Sequence, residues 1–248
     1  MNEQVKKDNK KALPKYLLIL LVSMIVGGVI GFASAIVGGT SLRENVLEGF
    51  TAVMTAVVPW GILVSILLLL VPGYWILAKA KKALAAWDGE DEDVSEAIED
   101  QCNRALLLSN LAMLLGFFFF SACLVYLQGQ IWQVGLFALD LGLCIALQRR
   151  VVDLIRTMNP EKQGSIYDTN FQKKWLDSCD ELEQRLIGQA AWTAFRATST
   201  VCAGLWAVLL VLHIMFGTGL LPIAVVLLIW GVLLVSYHLE AAKLGRRK

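Results

Sequence analysis

Histidine occurs only twice in the 248 residues, and the five cysteines (Cys102, Cys123, Cys144, Cys179 and Cys202) form no C-x-x-C pair. The chain therefore offers no ligand spacing for a zinc or iron–sulfur site, and no metal or cofactor is expected. Scattered and odd in number, the cysteines read as free thiols. Charge is also scarce, at 17% of residues against about 25% in an average soluble domain. The net charge of +1 gives no electrostatic case for binding nucleic acid. Enzyme signatures are missing: there is no G-x-S-x-G, no H-E-x-x-H, and no Walker-type lysine after a glycine-rich loop.

What the chain has instead is apolar bulk. Hydrophobic residues make up 57% of it and are bunched into runs. Crossing a bilayer core takes about 20 apolar helical residues. Six runs qualify: Tyr16–Val37, Thr51–Leu77, Ala105–Leu127, Ile131–Leu147, Thr200–Phe216 and Leu220–Tyr237. The fourth and fifth are short. The second is long, and either Pro59 or Pro72 can kink it.

Lysine and arginine set the orientation. They precede the first run, fill the stretches 78–104 and 148–199, and end the chain, while Arg43 alone falls on the other side. By the positive-inside rule both termini are cytoplasmic, and the expected location is the plasma membrane. The expected fold is all-α: a polytopic membrane protein of six transmembrane helices, paired as three hairpins with cytoplasmic helical stems. Residues 1–15 form a basic cytoplasmic N-terminus, and 16–248 a single membrane domain. A secretory signal ending near Ala33-Ser34-Ala35 is the rival reading of the start. Against it, the apolar run continues to Val37 and is long enough to span.

The external connections are short. Gln128-Gly129-Gln130 and Gly217-Thr218-Gly219 read as tight turns, and residues 41–48 as the one external loop of any length. The cytoplasmic stretches are larger. Asp93 and Glu96 read as the start of a helix entering span three. Loop two carries helical patterns near Asn170–Leu176 and from Cys179 onward, with Ser178 and Glu181 spaced as a capping box. Leu182, Leu186 and Ala190 give the second pattern an apolar face. Both approaches end in an Arg-Ala pair (Arg104-Ala105 and Arg196-Ala197), an echo that reads equally as a repeat or as chance.

Asp140 is the sharpest candidate for function. It lies about 13 Å above the cytoplasmic boundary at helical rise. An ionised carboxylate there costs roughly 2.5–3.5 kcal/mol on insertion scales. Gln133, Cys144 and Gln148 share its helix face and make a polar stripe with it. Two readings stand: a proton or cation path, or a hydrogen-bonded group that ties spans together. Counting from the cationic ends puts Ser23, Trp206 and Ser236 at the level of Asp140, and His213 too far out to pair with it. Ser121 and His213 share a depth, which leaves a serine hydrolase as a remote alternative.

Small residues recur every four positions in span one, at Ser23, Gly27, Gly31, Ala35 and Gly39. Such a stripe lets another helix approach closely, either within the chain or from a second copy. A shorter stripe, Ala138, Gly142 and Ala146, lies on the opposite side of span four from Asp140. Trp60, Trp75, Trp132 and Tyr126 fit anchoring at the headgroups.

The segment from Ile166 to Glu181, together with Gly219 to Pro222 at the start of span six, resembles an uncharacterised family of six-helix membrane proteins from Gram-positive bacteria. It is one of the "domain of unknown function" families. The resemblance implies plasma-membrane location and six spans, and supplies no activity. The functional expectation is a non-enzymatic membrane protein in contact with the lipid bilayer: a small transporter-like or accessory subunit with a surface for a cytoplasmic protein partner. A membrane sensor or immunity-type relay is the alternative, and an intramembrane enzyme the last.

Overall fold

The computed structural model describes residues 41–127 and 130–246, with scattered positions between Leu13 and Phe32. Among the described residues every regular element is helical. Helix α1 (Ser41–Ser65) continues through a π-helical stretch (Ile66–Leu70) into α2 (Val71–Ala86). Then follow α3 (Glu92–Tyr126), α4 (Ile131–Met158), the short α5 (Phe171–Asp177), α6 (Glu181–Phe216) and α7 (Leu221–Arg246). Among the described residues five helices are long and apolar enough to cross a membrane: Glu44–Ala86, Glu92–Tyr126, Ile131–Met158, Glu181–Phe216 and Leu221–Leu244. Even the shortest of them, 24 residues, extends about 36 Å at helical rise, beyond a hydrocarbon core of about 30 Å. Most of the first apolar run lies outside the described residues.

The helices outrun the apolar runs. Residues 41–48, expected as an external loop, are helical and begin α1. The non-helical parts of 78–104 and 148–199 shrink to 87–91, 159–170 and 178–180. Two cap assignments need correction. The start of α3 is capped by Asp91, whose side chain accepts from the amides of Asp93 and Val94. The start of α6 is capped by a reciprocal pair between Asp180 and Glu183: the Glu183 amide donates to Asp180 Oδ1 (2.7 Å) and the Asp180 amide to Glu183 Oε2 (3.1 Å). Ser178 instead donates to the carbonyl of Trp175 and accepts from the amide of Gln163. Helix α6 runs without a break from its cap into the apolar run.

The π stretch has a cause in the sequence. Pro72 has no amide to give the helix and its ring crowds the carbonyl one turn back, so the hydrogen-bond ladder must reset near it. The amide of Val71 reaches Ile66, the wider π spacing.

The described residues form two compact units. One is Gly49–Leu186; the other joins described residues up to Glu48 with Ile187 onward. In the first, α1, the π stretch, α2, α3 and α4 enclose a core that includes Ile62, Leu70, Ala80, Ile98, Ala105, Ala112, Leu147 and Val151. Lipid tails are as apolar as leucine, so helices in a bilayer are held by close packing and hydrogen bonds more than by exclusion of water. Glycine provides the close packing here. A Cβ on Gly61 would overlap the Phe119 ring, and one on Gly73 would sit 2.9 Å from Leu147 Cδ2. In the second unit, α6 and α7 leave large apolar residues exposed, among them Val201, Leu205, Leu228 and Val232. His213 closes the turn between them: its Nδ1 accepts from the amide of Gly219 at 3.0 Å. Gly219 has φ +81°, a conformation glycine adopts without steric cost. All five cysteines are free and buried.

Candidate functional site

The polar stripe of α4 faces inward, and three of its four members reach a neighbouring helix. Gln133 Nε2 donates to the carbonyl of Pro59 at 3.0 Å. Cys144 and Ser109 exchange bonds with each other's backbone: Ser109 Oγ donates to the Cys144 carbonyl (3.2 Å) and Cys144 Sγ to the Ser109 carbonyl (3.5 Å). Gln148 Nε2 donates to Asn110 Oδ1 at 3.0 Å. Tyr74 of α2 adds a bond from its hydroxyl to the carbonyl of Leu143 at 2.8 Å. These bonds run from α4 to α1, α2 and α3 and fix the register of the unit.

Asp140 is the exception. Its side chain is fully buried, and neither carboxylate oxygen has a hydrogen-bond partner among the described residues. Opposite it on α3 stands Gly116, where a Cβ would overlap Asp140 Oδ2. The glycine makes room for the carboxylate. One turn away on α4, Phe137 stacks on Phe120 (centroids 4.3 Å apart) and meets Phe117 edge-on (5.3 Å), which walls off that side.

The continuous helix formed by α1, the π stretch and α2 contributes at the same level. Gln133 pairs with Pro59, and Leu147 faces Gly73, both at a sequence separation of 74. The first helix and α4 therefore run parallel and in step, which sets Ile66 level with Asp140. That is where the π stretch begins. Ser65, just before it, is buried with its Oγ unpartnered. A carboxylate, a free hydroxyl and a widened backbone turn thus share one layer of the unit. Among the described residues the layer contains oxygen acceptors and no basic side chain that pairs with the carboxylate.

Depth counting named other neighbours. Trp206 and Ser236 belong to the other compact unit, and Ser23 lies outside the described residues. Sequence reading missed Ser109, Asn110, Gly116 and Tyr74. Ser109 and Asn110 were an available signal, being an adjacent polar pair inside an apolar run. Of the span-one stripe, Ser23, Gly31, Ala35 and Gly39 lie outside the described residues, and a Cβ on Gly27 would meet nothing within 4 Å. In the second stripe Ala138 and Gly142 are exposed. Ser121 donates to the carbonyl of Phe117 in its own helix at 2.8 Å.

A second polar centre lies between α4 and α6. Lys162 is 4% exposed, pairs with Glu183, and sits 3.4 Å from Cys179 Sγ. Burial pulls the Lys162 ammonium towards a lower pKa, but its bonds to Glu183 and Cys179 outweigh that and hold it above the usual lysine value. Lys174 bonds Asp168 and keeps that carboxyl below the ordinary carboxylate range. Burial pushes the Cys179 thiol up. Gln184 Nε2 donates to the carbonyls of Cys179 and Leu176. The 159–183 stretch is thus a folded connector.

Residues 10–241 match the model of a family described as "Protein of unknown function (DUF3169)". The chain belongs to this family. Its membership bears out the resemblance read from Ile166–Glu181 to an uncharacterised family. The DUF3169 match takes in both the Asp140 layer and the folded connector. Neither a curated protein nor a solved structure matches the chain.

Proposed function

We propose that this DUF3169 protein is a non-enzymatic, multi-pass protein of the plasma membrane. It has six spans paired as three hairpins, both termini in the cytoplasm, and Asp140 as the polar centre of a small transporter-like or accessory bundle. Five long apolar helices support the membrane placement. The tight connection between α6 and α7, closed by His213 on the amide of Gly219, supports the hairpin plan for the last two spans. The distribution of lysine and arginine supports the orientation.

The single observation that carries the functional reading is Asp140, buried at a helix seam with both oxygens unpartnered. Holding an acid there costs free energy that a merely structural apolar residue would not. A group that takes up and releases a proton or a small cation recovers that cost in function. Proteoliposomes with a trapped pH-sensitive dye and an imposed potential test it. The wild type is expected to pass protons or a proton-coupled cation. Asp140→Asn is expected to fold and pass none, and Asp140→Leu to disturb assembly as well. Asp140→Leu with normal expression and normal flux would make the residue incidental.

The folded connector favours a second reading, a sensor or immunity-type relay. A lysine buried against Glu183 and Cys179 stiffens a surface that a cytoplasmic protein could dock on. This reading expects no flux through the wild type, and a crosslinked protein partner from a photoreactive group at Lys173.

A further inference from the structure

A groove of about 650 Å³ lies between α2 and α4. Its walls are of two kinds. Leu77, Ala78, Leu84 and Leu154 are apolar, while Lys81 and Arg150 bring positive charge. Both cations are exposed. The Arg150 guanidinium lies over the Tyr74 ring, 5.6 Å from its centroid, which fixes its charge at the groove wall. Tyr74 is itself anchored through its hydroxyl to the Leu143 carbonyl. Asp153 also lines the groove, but Arg149 Nε stands 3.6 Å from its carboxylate and offsets its charge. The local balance of these four groups is positive.

We infer that this groove binds one anionic phospholipid of the cytoplasmic leaflet, with the phosphate between Lys81 and Arg150 and an acyl chain running into the bilayer past Ala78 and Leu77. The inference rests on the membrane orientation proposed above, which puts Lys81 and Arg150 at the headgroup level. A basic pocket between helices at that level is the known physical form of an anionic-lipid site. A zwitterionic lipid would bring a second positive charge towards Lys81 and Arg150. A free phosphate would leave the apolar wall wet.

Native mass spectrometry of the full chain, released from detergent micelles containing equal phosphatidylglycerol and phosphatidylcholine, tests this. The wild type is expected to retain one phosphatidylglycerol in preference. Lys81→Gln with Arg150→Gln should weaken it by roughly fivefold per cation, hence about 25-fold. Lys79→Gln with Lys82→Gln removes the same charge outside the groove and should change little. Ala78→Trp fills the groove without altering charge and should also expel the lipid, which covers the case of a double variant that fails to fold. Inorganic phosphate at millimolar concentration should not displace the lipid. Retention of phosphatidylglycerol by both the double variant and Ala78→Trp would overturn the inference, as would equal loss in the Lys79/Lys82 control. Micelles have no sidedness, so a wrong orientation would leave these binding results standing and would show separately, as external labelling of a cysteine placed at Asp88.

Discussion

Asp140 and Gly116 form a matched pair: the side chain missing from one helix is the space occupied by the carboxylate of the other. Gly116→Ala is expected to cost about 1–3 kcal/mol through overpacking, read as a fall of roughly 2–12 °C in melting temperature for a chain of this size. Asp140→Ala in the same chain should restore much of that loss, whereas Asp140→Asn, of equal volume, should not. Additive effects in this cycle would contradict the pairing. Lys162 makes a different kind of pair. Glu183→Gln keeps a side-chain oxygen to accept from the Asp180 amide in the α6 cap but removes the charge facing Lys162, so it isolates the ion pair. The expected cost is about 2 kcal/mol, between exposed and buried pairs because Glu183 is 37% exposed. Limited proteolysis within 159–183 would report it. The pH window follows from the two directions of shift. Lys162 is raised, so its contribution is whole at neutral pH and fades only as pH climbs beyond the ordinary 10.5. Asp168 is lowered, so its contribution holds above the ordinary 3.8 and fades as pH falls through its depressed value. The connector should therefore resist protease across neutral pH and loosen at both extremes.

Helix interiors here are written in apolar runs, and helix ends are not. The run from Thr200 to Phe216 announces the apolar part of α6, yet the helix starts at Glu181 because Asp180 and Glu183 satisfy its first amides. Ser178 with Glu181 fits the same spacing rule, and sequence spacing alone does not separate two overlapping capping boxes. Asp180→Ala should cost about 1 kcal/mol and speed amide exchange in the first turn of α6, while Ser178→Ala should leave that turn unchanged. The α4 stripe was legible because Gln133, Asp140, Cys144 and Gln148 recur at helical spacing. Its partners were not. Depth counted from the cationic ends assumes flush helices, whereas Gly61, Gly73 and Gly116 set the real register through close contacts. The π stretch was half legible: Pro72 marked a disturbance, but not its form or its alignment with Asp140.

The proposed orientation puts the apolar helices in the bilayer, with their basic ends, the folded connector and the lipid groove on the cytoplasmic side. Both the flux expected through Asp140 and the lipid expected at Lys81 and Arg150 take their direction from that placement. Large apolar residues exposed along α6 and α7 would be costly in water and are ordinary in lipid. Single cysteines at Thr218 and at Ser165, in a chain with the native cysteines replaced, can be challenged in intact cells with a membrane-impermeant maleimide. The account predicts that Thr218→Cys reacts at once and Ser165→Cys only after the membrane is opened. Labelling of Ser165→Cys in intact cells, with Thr218→Cys protected, would contradict it.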